Sequence, residues 1–368
     1  MRERITQWGA RGWEFFERYE RHAGVASFIF GFIFDNLTLT RVDLWFDNMV
    51  FVVHLTVVAG AMFLLHLARS GRTRTIVPKE YALYLPIAMQ FSFGNLFSGF
   101  FVFYSRSGSL ITSWPFLAFL VFLLLGNELF RKYYARFAFH ISILFITFFS
   151  YLIFLLPVLL HRMGPGIFIA SGVGSMVLIG LFLIAVTRIS PSNVRRRLVP
   201  AAVSIVCIYV TFHVLYFTNI IPPIPLSLKE IGVYHSVKWS PEGIYRFTYE
   251  TAPRFFFFSA PSKVFHRTAD APVYIYSAVF APTDLRTKIF HRWSYYDERK
   301  KEWTSTDTLS FSIVGGRDGG WRGFTLKENI MPGEWRVDVV TDRDQLLGRI
   351  AFTVVASDLL PQLESRSE

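Results

Sequence analysis

The chain is 368 residues long, with 52% hydrophobic and 18% charged residues, and its formal net charge is +11. Nearly all of the positive excess lies in short stretches of the first 220 residues. This excludes the clustered basic surface typical of nucleic-acid-binding proteins, so no nucleic-acid partner is expected. The single cysteine, Cys207, lies in an apolar run, which excludes disulfides and paired-cysteine metal sites.

The N-terminal residues 1–21 carry charges of both signs and lack the continuous apolar core of an export signal. Apolar and aromatic residues, among them Trp8, Phe16 and Tyr19, recur there at near-helical spacing. The pattern predicts an amphipathic helix on the inner membrane surface. The alternative interpretation is a partly ordered cytoplasmic tail.

Six uncharged stretches that follow are each long enough to cross a bilayer, because a helix needs roughly 20 apolar residues to span it. A seventh candidate precedes them and is interrupted by Asp35 and Asn36. Together they predict a domain of seven transmembrane helices over residues 22–221, in contact with the lipid bilayer. The seven stretches are 22–40, 48–68, 81–105, 107–127, 137–161, 163–187 and 198–228.

Lysine and arginine fall mainly on every second connection between these stretches. Alternate regions carry sixteen basic residues on one side against three on the other, the three being Arg41, Arg106 and Arg162. Loops rich in lysine and arginine stay in the cytoplasm. The asymmetry therefore predicts a cytoplasmic N-terminus and, after seven crossings, a C-terminal part outside the cytoplasm.

Polar residues at membrane depth are costly to bury and usually face the interior of a helix bundle. Hydrogen bonding between helices is the preferred interpretation of Gln90 and Asn95, with a substrate or ion path as the alternative. Glu128 fits a carboxylate that pairs with Arg131 or Lys132 at the inner surface. The candidates for polar or ligand-facing roles are Asp35, Arg41, Gln90, Asn95, Arg106, Asn127 and Glu128.

The character of the chain changes after Pro222, where prolines end the last helix. Residues 222–250 are predicted to form a proline-rich exit linker and juxtamembrane segment. From 251 to 356, apolar residues recur with period two between turn residues, which indicates half-buried strands. Roughly seven short strands predict an all-β, immunoglobulin-like sandwich outside the cytoplasm, followed by a polar tail over 357–368.

Several short motifs in this C-terminal part carry a family resemblance. His291-Arg-Trp293, Trp321-Arg322 and the run from Gly333 to Val339, Gly-Glu-Trp-Arg-Val-Asp-Val, stand in that order. Over about residues 285–355 the sequence resembles the bacterial domain-of-unknown-function family 2914, and the preceding part resembles the membrane half of proteins that end in that domain. The resemblance implies this architecture and a bacterial source, and it implies no activity, cofactor or catalytic residue.

The outer domain offers candidate surface residues but no recognisable catalytic motif, metal set or cofactor loop. For His291 and Trp293, which alternation places on one face, a packed core or rim pair is the default interpretation. Exposed tryptophans are suited to stack on sugar rings, and arginines to contact anionic groups. The outer-domain candidates are His291, Arg292, Trp293, Trp321 and Arg322.

Three classes of function stay open at this point. The first is a non-enzymatic inner-membrane envelope protein whose extracytoplasmic β domain binds a protein partner or a glycan. The second is a transporter or lipid-handling protein that uses the polar interior of the bundle, and the third is an integral-membrane enzyme. The first is favoured because the sizeable soluble part is a β domain without an evident active site.

Overall fold

The computed structural model describes residues 31–39, 41–70, 84–129, 137–189, 197–241, 244–250, 263–268, 271–359 and 362–367. Of residues 69, 70 and 127–129 it describes the backbone alone. The predicted amphipathic helix over 1–21, the first part of the predicted span 22–40 and the centres of the arginine-rich connections lie outside these ranges.

The N-terminal half of the described chain is helical. Residues 31–38 form helix, and six longer helices follow: α1 (Trp45–Ser70), α2 (Leu85–Ser107), α3 (Leu110–Leu129), α4 (Phe137–Leu160), α5 (Pro165–Ile189) and α6 (Leu198–Phe217). Among the described residues, α1, α2, α4, α5 and α6 are long and apolar enough to cross a membrane, while α3 has a shorter apolar stretch. Membrane-spanning character is therefore supported, and the count of seven crossings stays a prediction.

Aromatic side chains fill the centre of the bundle. The ring of Phe51 on α1 stacks against Phe100 on α2 at a centroid distance of 5.4 Å and meets Phe154 on α4 edge-on at 5.4 Å. A Cβ atom at Gly99 would lie 2.5 Å from the ring of Phe51. A side chain at position 99 would therefore have to displace the ring of Phe51, which packs directly over this glycine.

The last helix is shorter than the predicted span 198–228. It ends at Phe217, and Asn219 takes a left-handed backbone conformation with φ of 57°. The apolar residues beyond it, including Ile221 and Ile224, are buried where the bundle meets the β-rich part. The prolines that follow lack an N–H donor, so the helix cannot continue through them.

The C-terminal part is β-rich, as predicted, and its described residues form eleven strands in three sheets. A three-stranded sheet has the order β1-β5-β8, a five-stranded sheet has the order β4-β10-β9-β6-β7, and a third sheet has the order β11-β3-β2. The strands are β1 (Ser227–Tyr234), β2 (Ser236–Trp239), β3 (Tyr245–Glu250), β4 (Val264–Arg267), β5 (Val273–Phe280), β6 (Arg286–Asp297), β7 (Glu302–Val314), β8 (Trp321–Lys327), β9 (Gly333–Thr341), β10 (Leu346–Ala356) and β11 (Leu363–Ser367).

The three sheets form three layers. The five-stranded sheet contributes Trp293, Trp335 and Phe352 to a core that also contains Val273 and Ile275 of β5. The opposite face of β5 packs against the third sheet, which makes the sheet β1-β5-β8 the central layer. Every residue of β5 except one is buried, because this strand is covered on both faces.

Two segments differ from their sequence-based interpretation. The expected linker 222–250 contains β1, β2 and β3, and the expected tail contains β11, which pairs with β3. In β1 the register shifts between Leu228 and Glu230, which breaks the period-two pattern on which strand prediction depends. The third sheet and the parallel pair β4–β10 are additions to the two-sheet antiparallel arrangement that alternation predicts.

The core between the five-stranded sheet and the central sheet leads to a testable prediction about Trp335. Trp335 is 1% exposed, and its indole Nε1 donates to the carbonyl of Met331 at 2.8 Å. We expect Trp335→Ala to lower the free energy of unfolding by about 3–5 kcal/mol, because it removes a large buried side chain and leaves a cavity. Trp239, 60% exposed on β2, supplies the control Trp239→Ala. Equal losses of stability in urea unfolding of the two full-length variants, followed by circular dichroism, would contradict the assigned core.

Candidate functional site: the bundle junction and the arginine face

One end of the bundle is in direct contact with the β domain, and this contact is called the junction below. The backbone N–H of Ser109, between α2 and α3, donates to the carbonyl of Leu346 on β10 at 3.2 Å. The hydroxyl of Ser227 on β1 donates to the carbonyl of Arg106 at 2.7 Å. Met163, between α4 and α5, packs against an apolar cluster of the β domain, which we call the lower core: Leu226, Val279, Ala281, Leu285, Ile289, Ile313, Val339 and Leu347. The β domain therefore lies at the end that carries the arginine-poor connections.

A carboxylate joins the loop before α1 to the β domain. Asp43 receives two hydrogen bonds from the guanidinium of Arg41, at 3.0 and 2.7 Å. It also accepts from the backbone N–H and the hydroxyl of Thr283, at 3.1 and 3.3 Å. Arg41 forms a second ion pair with Asp318, in the turn after β7, and its guanidinium lies 5.4 Å from the ring centroid of Phe280.

The electrostatics of Asp43 follow from these contacts. Its side chain is 6% exposed, and burial alone would raise the pKa of its carboxyl. The hydrogen bonds from Arg41 and Thr283 outweigh burial and hold the pKa of Asp43 below its ordinary value. Asp43 is therefore a charged, fully engaged group whose role is to fasten two parts of the chain together.

Arg106, at the last turn of α2, is occupied by a neighbouring helix end. Its guanidinium donates to the carbonyl of Leu39 at 2.5 Å and to the carbonyl and side-chain oxygens of Asn36 at 2.5 and 2.8 Å. These carbonyls end the helical segment 31–38, so Arg106 supplies them with hydrogen-bond donors from another helix. Arg41 and Arg106, which the sequence singled out, are thus both engaged in structural contacts, Arg41 with Asp43 and Arg106 with the end of the helical segment 31–38.

The turn between β9 and β10 rests on the last helix. The guanidinium of Arg343 lies 4.2 Å from the ring centroid of Tyr216, and the amide of Asn219 donates to the carbonyl of Arg343 at 3.1 Å. A cavity of about 20 Å³ lies beside this contact, lined by Pro157, Phe168 and Tyr216 among others. This volume holds about one water molecule, and none of the sequence-predicted candidates lines it.

Of the other candidates in the membrane part, the structure describes the side chains of Asn95, Asp35 and Gln90. The side-chain amide of Asn95 donates to the carbonyl of Phe91, one turn earlier on α2, at 2.9 Å. Asp35 and Gln90 are half-buried. The side chains of Asn127 and Glu128 lie outside the described residues.

His291 and Trp293 lie in the core of the outer domain, as in the default interpretation of a packed pair, and not on its surface. Both are fully buried, because the odd-numbered residues of this part of β6 face the core. The imidazole of His291 bonds to the hydroxyls of Ser277 and Thr325 at 2.8 and 2.9 Å, and Trp293 Nε1 donates to Thr325 at 3.2 Å. Burial lowers the pKa of His291 to about 3, so the ring is neutral and connects two sheets.

The remaining outer-domain candidates are half-buried on β6 and β8. The guanidinium of Arg317 lies 4.7 Å from the ring centroid of Trp321, which also packs against the lower core. The carbonyl of Arg322 accepts from the hydroxyl of Tyr245 at 3.4 Å. Arg292 forms an ion pair with Asp344 in the β9–β10 turn.

Three arginines on adjacent strands share the outer surface of the five-stranded sheet, and we call them the arginine face: Arg292, Arg336 and Arg349. The strand register pairs Arg292 with Asp338 and Asp338 with Arg349, so these residues form one row across three strands. Arg349 binds Asp338 through two hydrogen bonds of 2.5 and 2.8 Å. Arg336 lies in the next row, and its guanidinium lies 4.6 Å from the ring centroid of Trp303 on β7.

Arg336 is the exception within this face. Its Nε is buried and has no hydrogen-bond partner, and no ion pair of its guanidinium occurs among the described residues. Burial and then the nearby charge of Arg349 lower the pKa of Arg336 from its ordinary value, against the opposite effect of Asp338. The alternation in β9 indicated that Arg336 and Asp338 share a face, but no sequence signal pairs Arg336 with Trp303.

A second polar cluster, which sequence reasoning missed, joins β3 to β4. The Glu250 carboxylate bonds to the rings of His235 and His266 at 2.7 Å each and accepts from the backbone N–H of His266 at 2.6 Å. Burial raises the pKa of Glu250, but these hydrogen bonds outweigh it and hold the pKa below its ordinary value. Within the described ranges, no group of three or more His, Cys, Asp or Glu side chains is arranged to hold a metal ion.

Comparison with known proteins identifies one domain. Residues 286–354 match the family model DUF2914, described as a protein of unknown function, which confirms the resemblance found in the sequence. No curated protein matches the chain. The solved structure of the Pseudomonas fluorescens alkylpurine DNA glycosylase AlkC, bound to DNA containing an abasic site analog, is similar to 86% of this chain and 100% of that chain at 10% identity. Its TM-score of 0.22 is too low to carry an argument.

The buried histidine predicts a pH dependence of stability. The pKa of His291 falls from 6.5 to about 3 on folding. Between these two pH values the imidazole is protonated in the unfolded chain and neutral in the folded chain. The stabilisation is complete above pH 6.5 and is lost as the pH falls toward 3, to a total on the order of 4–5 kcal/mol.

The measurement is the free energy of unfolding of the full-length protein between pH 7.5 and 4.5. We expect His291→Gln to flatten the acid loss of stability, and His161→Asn, at an exposed loop position with a left-handed backbone, to leave it unchanged. Parallel pH profiles for wild type and His291→Gln would contradict the assignment.

The junction predicts a loss of stability on removing one charge. Asp43→Asn keeps the shape of the side chain but removes the anion that Arg41 and Thr283 contact, so we expect a loss of about 1–3 kcal/mol in the free energy of unfolding. Asp284→Asn, at an exposed turn position with φ of 61°, is the matched control because asparagine tolerates this conformation. Identical thermal melting of the two variants would show that the contact contributes nothing.

Proposed function

We propose that this chain is a non-enzymatic envelope protein of a bacterial inner membrane, whose β domain lies outside the cytoplasm and binds a protein partner or a glycan. Seven crossings within the domain 22–221, with a cytoplasmic N-terminus, belong to the proposal. In a cell with two membranes the β domain lies in the periplasm. An immunoglobulin-like relationship of the two larger sheets is part of the same proposal.

The observation that carries the proposal is the position of the β domain at the arginine-poor end of the bundle. Contacts at Asp43, Ser109 and Met163 join the domain to the three connections that carry one arginine each. The connections at the opposite end, counted together with the N-terminal segment, carry sixteen basic residues, whereas the connections at this end carry three. Since basic loops stay in the cytoplasm, the domain belongs on the other side.

The engagement of the polar candidates favours an anchored binding domain over a transport path. Arg41, Asp43 and Arg106 are each occupied by contacts that fix the junction or a helix end. Arg41 and Arg106 were among the sequence-based candidates for polar or ligand-facing roles in the bundle. The β domain, in contrast, exposes a broad sheet surface that contains an arginine without an anionic partner among the described residues.

The topology is tested by labelling single cysteines in a Cys207→Ala background. Glu298→Cys lies in the exposed β6–β7 turn, and Ser192→Cys lies in the arginine-rich connection before α6. We expect a membrane-impermeant maleimide to label Glu298→Cys in intact spheroplasts, and to label Ser192→Cys after lysis alone. Alkaline phosphatase fused to the C-terminus should be active. Labelling with the opposite pattern would overturn the proposed orientation.

A further inference from the structure

Strand β7 forms one edge of the five-stranded sheet and pairs with β6 alone. It has thirteen residues, whereas β2, β4 and β11, at the edges of the same sheet and of the third sheet, have four or five. The pairing with β6 passes from Ser305 to Asp307 and leaves Thr306 unpaired, so a bulge interrupts the strand there. The uninterrupted segment 308–314 beyond the bulge is called the β7 edge below.

The directions of the backbone N–H groups along the β7 edge follow from the pairing with β6. In an antiparallel pair, opposite residues bond to each other at every second position, and the residues between them direct their N–H and C=O groups away from the partner strand. The N–H of Gly315 donates to the carbonyl of Leu285 at 2.9 Å, and the register continues from there to Asp307 without a shift. Counted back from this bonded pair, the outward-directed residues are Thr308, Ser310, Ser312 and Val314.

The outward-directed groups lack a strand partner within the described part of the chain. β7 stands at the end of the strand order, and no backbone hydrogen bond joins Thr308, Ser310 or Ser312 to a loop described there. A row of unused donors and acceptors at the edge of a sheet matches the backbone of one further strand. The class of ligand therefore follows from the main chain, because an extended polypeptide presents the complementary row of donors and acceptors.

The features that normally hinder strand addition are missing from the β7 edge. Natural edge strands are kept from pairing with other chains by charged residues, prolines or short length. The sequence of the β7 edge, Thr-Leu-Ser-Phe-Ser-Ile-Val, has neither a charge nor a proline. The adjacent Asp307 is already engaged in an ion pair with Lys327 on β8. The short edge strand β11, in contrast, carries Glu364 and Arg366.

The side chains of the β7 edge indicate the composition of the strand that fits it. The hydroxyl residues at positions 308, 310 and 312 are exposed on the outer face. Leu309 and Phe311 point to the inner face, where the ring of Phe311 packs over Gly323 on β8. Leu309 is nevertheless 37% exposed. A strand with an apolar side chain at every second residue would cover Leu309 and continue the hydroxyl face outward.

The orientation of β7 argues against a second copy of this chain as the occupant. β7 runs toward the bundle, because the turn that follows it contains Asp318, which pairs with Arg41. Two copies inserted in one membrane in the same sense have β7 strands that run in the same direction. Two identical edges pair symmetrically as antiparallel strands, since a two-fold axis between parallel copies sets each N–H opposite its equivalent. The occupant is therefore a strand of a different protein.

We infer that the β7 edge binds an extended segment of another protein by strand addition, through main-chain hydrogen bonds. The segment is uncharged and has an apolar side chain at every second residue. The inference rests on the proposed function, since it chooses the protein partner over the glycan and names how that partner is held. Peptide binding by the purified protein does not depend on topology, so its failure would leave the proposed orientation and the glycan standing.

The test uses the full-length protein in nanodiscs and a capped, fluorescein-labelled probe peptide, Lys-Thr-Val-Thr-Val-Thr-Val-Thr-Lys, whose binding is followed by fluorescence anisotropy. We expect saturable binding that changes little with added salt, because backbone hydrogen bonds and apolar contacts are screened less than charges. The same peptide with proline in place of each valine should not bind, because proline lacks the N–H donor.

Ser310→Pro is the decisive variant, because it removes one outward N–H and no hydrogen bond to β6. We expect an affinity for the probe about tenfold lower, as for one lost hydrogen bond at an obstructed edge. Ser310→Ala removes the hydroxyl but keeps the N–H, so it is the matched control and should bind as wild type does. Thermal melting verifies folding, and Ser312→Pro with Ser312→Ala repeats the comparison if Ser310→Pro melts early.

Several outcomes would overturn the inference. No binding of the probe by wild type, or equal affinities of wild type and the folded proline variant, would exclude strand addition at this edge. An equal loss of affinity in Ser310→Ala and Ser310→Pro would show that side chains, and not the main chain, bind the probe. Concentration-dependent association of the protein that Ser310→Pro abolishes would overturn it in favour of a second copy of the chain.

Discussion

The carboxylate of Asp43 lies between two parts of the chain that are 240 residues apart in sequence. It neutralises Arg41 on the helical side and accepts two hydrogen bonds from Thr283 on the β side. A buried charge is tolerated when its partners are this complete. Because the contact closes the junction, it fixes the β domain against the bundle and thereby the direction in which the five-stranded sheet faces.

Apolar packing also connects the bundle to the β domain at this junction. The apolar core of the bundle includes Phe280 at the end of β5, and the lower core of the β domain includes Leu226 directly before β1. Apolar packing is thus nearly continuous from the membrane part into the central sheet. The core also contains polar contacts, such as the neutral His291 between Ser277 and Thr325. Their hydrogen bonds have a defined geometry, so they fix the relative position of the two sheets more specifically than apolar contacts do.

The candidate sites were predicted unevenly from the sequence. Arg41 and Arg106 were singled out because arginine is rare in those connections, and both are engaged at the junction. Alternation placed His291 and Trp293 on one face, with a packed pair as the default interpretation, but it does not show which face is covered, and only the structure places both in the core. The pairing of Arg336 with Trp303 joins strands β9 and β7 across β6, so no local pattern reveals it.

The sequence by itself determined the helical and β-rich halves, the lengths of the apolar runs and the charge asymmetry, since these depend on local periodicity and composition. Tertiary structure alone decided that residues 227–250 form strands and that the β domain has three layers. The register shift in β1 disrupts alternation, and strand pairing joins residues far apart in sequence. Such contacts are selected by the fit of whole surfaces, which no short window of sequence contains.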